Sequence, residues 1–314
     1  MSGSQTPLVL GTFSPSVLLR TARRTGVLAR HGLLVEERPV PSSPVQFAAL
    51  EAGSLDAALT SPDNVVAYRF LPGNPLGSTR DVRIVCAVDR GLGLALYAGP
   101  GPDGIAAGNE GIAALRGQVV GVDVAASGFA FALFEILGRA GLRRDDYELA
   151  ELGSTPKRLD ALLEGRCAAT MLNAGNDLKA DDAGLVRLAD VTSVADPYLG
   201  TVLAVQGEPA PAVRALAAAL TETGDAVRTD PSVRAAAVAE AEATGLAAHL
   251  AQRYVDGLLD PDHGLVEGGI VDAASLASVV DLRRRHLPPQ VAALLDGAGD
   301  PAYGLVDDGS RAKG

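Results

Sequence analysis

Ser43–Asn64, SPVQFAALEAGSLDAALTSPDN, aligns without a gap on Thr155–Asn176, TPKRLDALLEGRCAATMLNAGN, at an offset of 112 residues. Pro44 meets Pro156, Ala49 meets Ala161, Leu50 meets Leu162, Gly53 meets Gly165, Ala57 meets Ala169 and Asn64 meets Asn176. Each copy reads as a helix followed by a strand. Ser43 or Thr155 can cap the helix, since a hydroxyl there accepts from the unpaired first-turn amides. Proline follows where its missing N–H costs nothing. Apolar residues then recur at helical spacing (Phe47 and Leu50; Leu159, Leu162 and Leu163) until a glycine ends the helix. A short apolar strand is predicted over 55–59 in one copy and 167–172 in the other. Both strands run into polar loops, Thr60-Ser61-Pro62-Asp63-Asn64 and Asn173-Ala174-Gly175-Asn176.

Working outward, each copy is preceded by another matching unit. Leu8-Val9-Leu10-Gly11 leads through Thr12-Phe13-Ser14-Pro15-Ser16 into a helix predicted to end near Gly32. Val119-Val120-Gly121-Val122 leads through Ala125-Ala126-Ser127-Gly128-Phe129 into a helix ending near Gly141. A second strand follows each, over 33–40 and 147–152. The chain therefore holds two β-α-β-α-β modules, and alternating strands and helices imply mostly parallel sheets flanked by helices. The apolar run 82–97, broken by Asp89-Arg90-Gly91-Leu92-Gly93, reads as two strands crossing from one lobe to the other, and residues 196–205 cross back. The expected lobes are residues 1–92 with 201–314, and residues 93–200, hinged near 89–93 and 198–201. Helices predicted from Pro211 onward would pack on the first lobe, and the chain after about Leu305 reads as a loose tail.

Composition narrows the function. Aromatics are 4% of the chain and Trp is absent, which disfavours a nucleic-acid site built on stacked rings. A net charge of −11 would repel a phosphate backbone. Arg20, Arg23 and Arg24 read as the solvated face of one helix. Cys86 and Cys167 sit in apolar runs and read as buried small residues. The histidines, His31, His249, His263 and His286, lack metal-ligand spacing, so neither metal nor cofactor is expected. No signal peptide or membrane-spanning run is visible, so the chain as written is expected in the cytoplasm, without direct insertion into a membrane. A start site further upstream would make it periplasmic or surface-bound.

Four segments carry a family resemblance: GVLARHGLLV (26–35), SPVQFAALEAGSLD (43–56), LRGQVVGV (115–122) and GSTPKRLDALLEG (153–165). With DPDHGL and GGIVDAASL near the end, the chain resembles the nitrate/sulfonate/bicarbonate class of ABC-transporter solute-binding proteins. That class includes thiamin-pyrimidine-synthase-like members and has a type II periplasmic-binding-protein fold. The resemblance implies a two-lobed α/β protein that binds a small anionic or carboxylate-bearing molecule between its lobes and presents it to an ABC permease. The same fold hosts enzymes, so a cytosolic decarboxylase or other lyase is the alternative. The cysteine-rich iron-binding run of the thiamin-pyrimidine synthases is missing, and Ser14 stands where an aryl-sulfinate desulfinase has its cysteine.

In open α/β sheets ligands lie beyond the carboxyl ends of the strands. The candidate ligand contacts are accordingly Phe13, Ser14, Ser16, Ser42, Ser43, Ser61 and Asn64 from the first lobe. From the second come Ser127, Gly128, Phe129, Ser154, Thr155, Asn173 and Asn176. Several begin helices, where free amides favour an anion, and Lys157 and Arg158 add positive charge nearby. Ser127 lacks the first glycine of a nucleophile elbow, and no catalytic residue is assigned. Gly91-Leu92-Gly93 lacks the third glycine of a dinucleotide fingerprint and reads as a turn.

Overall fold

Both copies of the repeated segment fold alike, as helix Ser43–Glu51 followed by a strand at Ala57–Thr60, and helix Thr155–Leu163 followed by one at Ala169–Leu172. The computed structural model describes residues 5–99, 106–300 and 303–307. Its strands are β1 (Thr6–Thr12), β2 (Leu33–Pro39), β3 (Ala57–Thr60), β4 (Val82–Asp89) and β5 (Ala95–Ala98), then β6 (Val119–Val122), β7 (Glu148–Glu151), β8 (Ala169–Leu172), β9 (Val186–Asp190) and β10 (Thr201–Gln206). They form two five-stranded sheets, ordered β2-β1-β3-β10-β4 and β7-β6-β8-β5-β9.

The two orders are the same once the modules are overlaid, with β1, β2 and β3 answering to β6, β7 and β8. Within each module the pairs are parallel: β1 with β2 and β3, and β6 with β7 and β8. Four strands of each sheet share one direction, as expected of a mostly parallel sheet, and one opposing strand makes each sheet mixed. β10 runs antiparallel to β3 and β4, and β5 runs antiparallel to β8 and β9. The physical reason is the crossing. A parallel strand must return through a crossover connection, whereas β5 and β10 enter directly from the other sheet.

Other expectations shift in detail. The first helix divides into Val17–Arg24 and Val27–Arg30, because Gly26 takes φ +75°, which interrupts a right-handed helix at low cost only for glycine. Arg20 and Arg24 of its first half pair with Glu37 and Glu240, and Arg23 donates to the Val35 carbonyl. At the other end, Leu305 and Val306 are buried and Val306 bridges to Ile84, so the predicted tail does not begin there. Residues 308–314 lie outside the described residues.

The core has three parts. Helices Val17–Arg24, Pro211–Thr229, Pro231–Ala243 and Ala248–Leu258 cover one face of the first sheet, through Leu19, Val213, Leu216, Leu220 and Leu250. Helix Thr155–Leu163, with Leu185, covers one face of the second, packing on its strand residues Tyr97 and Leu172. The remaining cluster runs continuously from Phe47, Val65 and Ile84 to Phe131, Leu133 and Leu137. Helix Ala273–Arg285 fills it from between, packing Leu276, Val279 and Val280 against helices Pro62–Phe70 and Gly128–Arg139. That helix departs from the expected packing on the first lobe alone. Its apolar face is matched by both sheets' helices, and burying it on only one would leave the other exposed.

Candidate functional site

The carboxyl ends of β1, β3, β6 and β8 and the helix starts that follow them converge on one cavity of about 200 Å³. From the first sheet's side it is lined by Phe13, Ser14, Ser16, Ser42, Ser43, Ser61 and Asn64. From the second come Ser127, Gly128, Phe129, Ser154, Thr155 and Asn173. Asn176 is the exception among the sequence candidates. It is buried at the start of helix Asn176–Asp182, where its amide donates to the Asn173 carbonyl at 3.1 Å, and it does not reach the wall.

The serines divide by what they already hold. Ser16, Ser61 and Ser127 cap helices, accepting from the amides of Leu19 (3.2 Å), Asp63 (3.2 Å) and Ala130 (3.1 Å). Ser43 and Thr155, expected as caps, are instead the first helical residues. Ser42 and Ser154 take the cap positions, yet neither caps through its side chain. The two helices of the repeated segment thus present first-turn amides with no side-chain acceptor. Ser14, Ser42 and Ser154 make no side-chain hydrogen bond among the described residues. Thr155 lies 3.5 Å from Asn173 Oδ1, and Asn173 Nδ2 donates to the Gly91 carbonyl at 3.3 Å. Asn64 donates to Thr60 Oγ1 at 3.1 Å.

Several wall residues lie outside the candidate contacts, and Arg158, read from the sequence only as positive charge nearby, is in the wall itself. Arg158 is 2% exposed and is the cavity's one cationic side chain among the described residues. Its guanidinium donates to the carbonyls of Gly153 (2.5 Å) and Met171 (3.1 and 3.4 Å) and to Thr155 Oγ1 (3.0 Å). Burial lowers its pKa, with Asp123 acting in the opposite direction from further away. The gapless pairing did hold a signal, since Arg158 falls on Gln46. Asp123 accepts from Ser127 Oγ at 2.5 Å. Asp89, at the end of β4, is pushed up to about 6 by burial and accepts from the Gly91 amide at 2.8 Å. Tyr254, Leu258 and Leu265 come from the C-terminal part, whose contribution a strand-end rule cannot foresee.

The backbone is unusual at the same wall. Leu92 (φ +46°) and Ala174 (φ +53°) are the non-glycine residues with positive φ among the described residues, and Ala174 donates to the Leu92 carbonyl at 3.0 Å. Such conformations cost on the order of 1–3 kcal/mol each and cluster at functional sites. Where the crossings touch, a Cβ on Gly200 would lie 2.2 Å from the Gly91 nitrogen, so only glycine admits this approach.

No family model matches the chain, and no curated protein matches its sequence. Solved structures do match in shape. The alkanesulfonate-binding protein SsuA of Xanthomonas axonopodis pv. citri, bound to MOPS, aligns over 98% of this chain and 96% of that chain at 17% identity, with a TM-score of 0.68. The periplasmic nitrate-binding protein NrtA of Synechocystis PCC 6803 aligns over 93% of this chain and 85% of that chain at 14% identity and TM-score 0.71. A Candida albicans gene product exhibiting the generic periplasmic binding protein fold aligns over 98% of each chain at 14% identity and TM-score 0.69. The chain has the periplasmic-binding-protein fold. In that fold's terms, the cavity lies between the two sheets, at the ends where their modules face each other. Among the described residues no helix is long and apolar enough to cross a membrane, and no group of His, Cys, Asp and Glu could hold a metal ion. Cys86 and Cys167 are buried, and burial pushes their thiols up to about 12 and about 11.

Proposed function

We propose that the protein is a solute-binding protein of an ABC-type uptake system, holding a small anionic or carboxylate-bearing molecule in the cavity between its sheets. The observation that carries this reading is the single cavity wall contributed by both modules. Unengaged hydroxyls and uncapped helix starts come from each side, and one buried cation comes from the second. The fold's relatives above, which bind an alkanesulfonate and nitrate, support it. An ABC permease is the partner this role requires.

Residues 1–92 with 201–314 form one lobe in this proposal, and residues 93–200 the other, bending near 89–93 and 198–201. Gly91, Leu92 and Gly93 all have positive φ, and Gly200 donates to the Asp89 carbonyl at 2.9 Å, so the two crossings move together. A ligand touching both lobes stabilises the closed form, because only that form completes its contacts.

A thermal-shift screen of carboxylates, sulfonates, pyrimidines and aromatic acids tests the reading, since a ligand that prefers the native state raises its stability. Calorimetry with the best of them on Asn64→Ala and Thr155→Ala should show each variant weakened by about 0.5–1.5 kcal/mol, more where the contact is charged. Wild-type affinity in both variants would remove the cavity from the account.

A further inference from the structure

Gln46 and Arg158 occupy the same position of the two modules, and they do the same structural work. Gln46 is fully buried, and its Nε2 donates to the carbonyl of Leu59 near the end of β3 at 3.1 Å and to that of Gly11 at 3.2 Å. Arg158 is 2% exposed, and its Nη2 donates at 3.1 Å to the carbonyl of Met171, the counterpart of Leu59. A neutral amide therefore suffices to tie this helix to the strand end. The charge at position 158 answers to something else.

Among the described residues that charge has no salt-bridge partner, and Asp123, which lines the same cavity, acts on it only from beyond salt-bridge distance. The guanidinium's hydrogen bonds all go to neutral oxygens and none to a carboxylate, although burying a charge without an opposite partner is costly. Its contacts are to neutral oxygens, with Phe129's ring 5.8 Å from its Cζ. A guanidinium carries five N–H donors, so one hydrogen on Nη1 has no acceptor. Around it stand the unengaged hydroxyl of Ser154 and the uncapped start of helix Thr155–Leu163. Elsewhere the wall is largely apolar, through Phe13, Leu18, Val88, Leu258 and Leu265, and a cavity of about 200 Å³ exceeds what a bare triatomic or tetratomic oxyanion fills.

Building on the solute-binding reading, we infer that Arg158 is the residue that selects the ligand's charge. It seats one anionic group of an organic monoanion against the second module, while the ligand's apolar body lies toward the first, where Gln46 leaves the matching position neutral.

The test replaces Arg158 by the residue its sister module uses. Thermal unfolding of wild type, Arg158→Gln and Lys157→Gln is followed with benzoate against benzamide and with methanesulfonate against dimethyl sulfone, each pair alike in shape and different in charge. Lys157 is exposed and carries the same formal charge, so its variant controls for general electrostatics. Benzoate or methanesulfonate should raise the wild-type Tm while the neutral partner does not. Arg158→Gln should bind the anion roughly 10- to 100-fold more weakly, and Lys157→Gln should bind it as wild type does. An anion response retained in Arg158→Gln overturns the assignment. So does a neutral partner as effective as its anion in the wild type, which holds even if Arg158→Gln does not fold. Either result leaves ligand binding in the cavity standing. A wild type that responds neither to these probes nor to any compound of the wider screen removes the solute-binding reading itself and this inference with it.

Discussion

Two seams join the sheets beside the cavity, and they are built from different materials. At one, helix Ala273–Arg285 lies against helix Gly128–Arg139. Arg283 grips Asp63 with two hydrogen bonds of 2.6 and 2.7 Å, donates to the Ala126 carbonyl at 2.9 Å, and stacks 4.8 Å from the Phe131 ring centre. His286 stacks on the same ring at 5.6 Å. All this sits on the continuous core cluster. At the other seam, helix Ala248–Leu258 meets helix Asn176–Asp182 through the ion pair Arg253–Asp181 and a hydrogen bond between His249 and Asp182, both 2.9 Å and both substantially exposed. Exposed pairs of this kind contribute about 0–1 kcal/mol each. A rotation of one proposed lobe on the other parts the exposed pairs and the packing of Leu178 on the first lobe's cluster, whereas parting the buried seam would take Arg283 from the Ala126 carbonyl and the Phe131 ring, and His286 from the same ring, within a continuous core. The difference gives the proposed motion a direction: the seam at Ala248–Leu258 opens, and the seam at Ala273–Arg285 is the pivot.

The largest expected effect breaks the pivot. Asp63→Ala leaves Arg283 buried without its carboxylate, and the denaturant midpoint should fall by the equivalent of about 3–5 kcal/mol. A loss under about 1 kcal/mol would mean that Arg283 does not need Asp63 to hold it for its contacts across the buried seam.

A second prediction concerns pH. Asp177, at the start of the helix that forms the exposed seam, is pushed by burial from an ordinary 3.8 to about 6, as is Asp89 at the crossing. Both carboxyls hold a proton more tightly in the folded chain than in the unfolded one. Their contribution to stability is full below 3.8 and is lost as pH rises through about 6. Asp177→Asn should remove about half of this part of the slope, read from urea midpoints across that window. An unchanged slope would mean that Asp177 is solvated, and with it the neighbouring seam.

The smallest effect concerns the exposed seam itself. Arg253→Ala should change stability by no more than about 1 kcal/mol while raising the ligand-free radius of gyration in solution scattering. A large loss of stability with unchanged dimensions would mark this seam as structural.

How much of this was legible depends on how local the cause was. The gapless pairing of Ser43–Asn64 with Thr155–Asn176 was readable because cap, proline, helix and strand lie within 22 consecutive residues. The strand-end turns then led to the cavity, and only Asn176 turned away, because a helix begins there and its amide is engaged by the chain behind it. Antiparallel β5 and β10 were not readable, since each joins a sheet made by the other half of the chain. Helix Ala273–Arg285 was equally opaque, as its apolar face has the same pattern whether one sheet covers it or two. Arg158 lay between these cases. Its pairing with Gln46 is plain in the sequence, but only burial without a hydrogen-bonded carboxylate makes that pairing informative.

Distances across the two seams decide whether one opens while the other holds. Because Cys86 and Cys167 are buried, cysteines introduced at exposed positions can carry spin labels. One pair, Ala183→Cys with Gln252→Cys, spans the exposed seam, and another, Gly138→Cys with Asp281→Cys, spans the buried one. The first pair should show a broad distance distribution that shortens and narrows with the anion that raises Tm, while the second pair stays fixed. A ligand that leaves both distributions unchanged, or that moves the pair at 138 and 281 while the pair at 183 and 252 holds still, would contradict the proposed pivot.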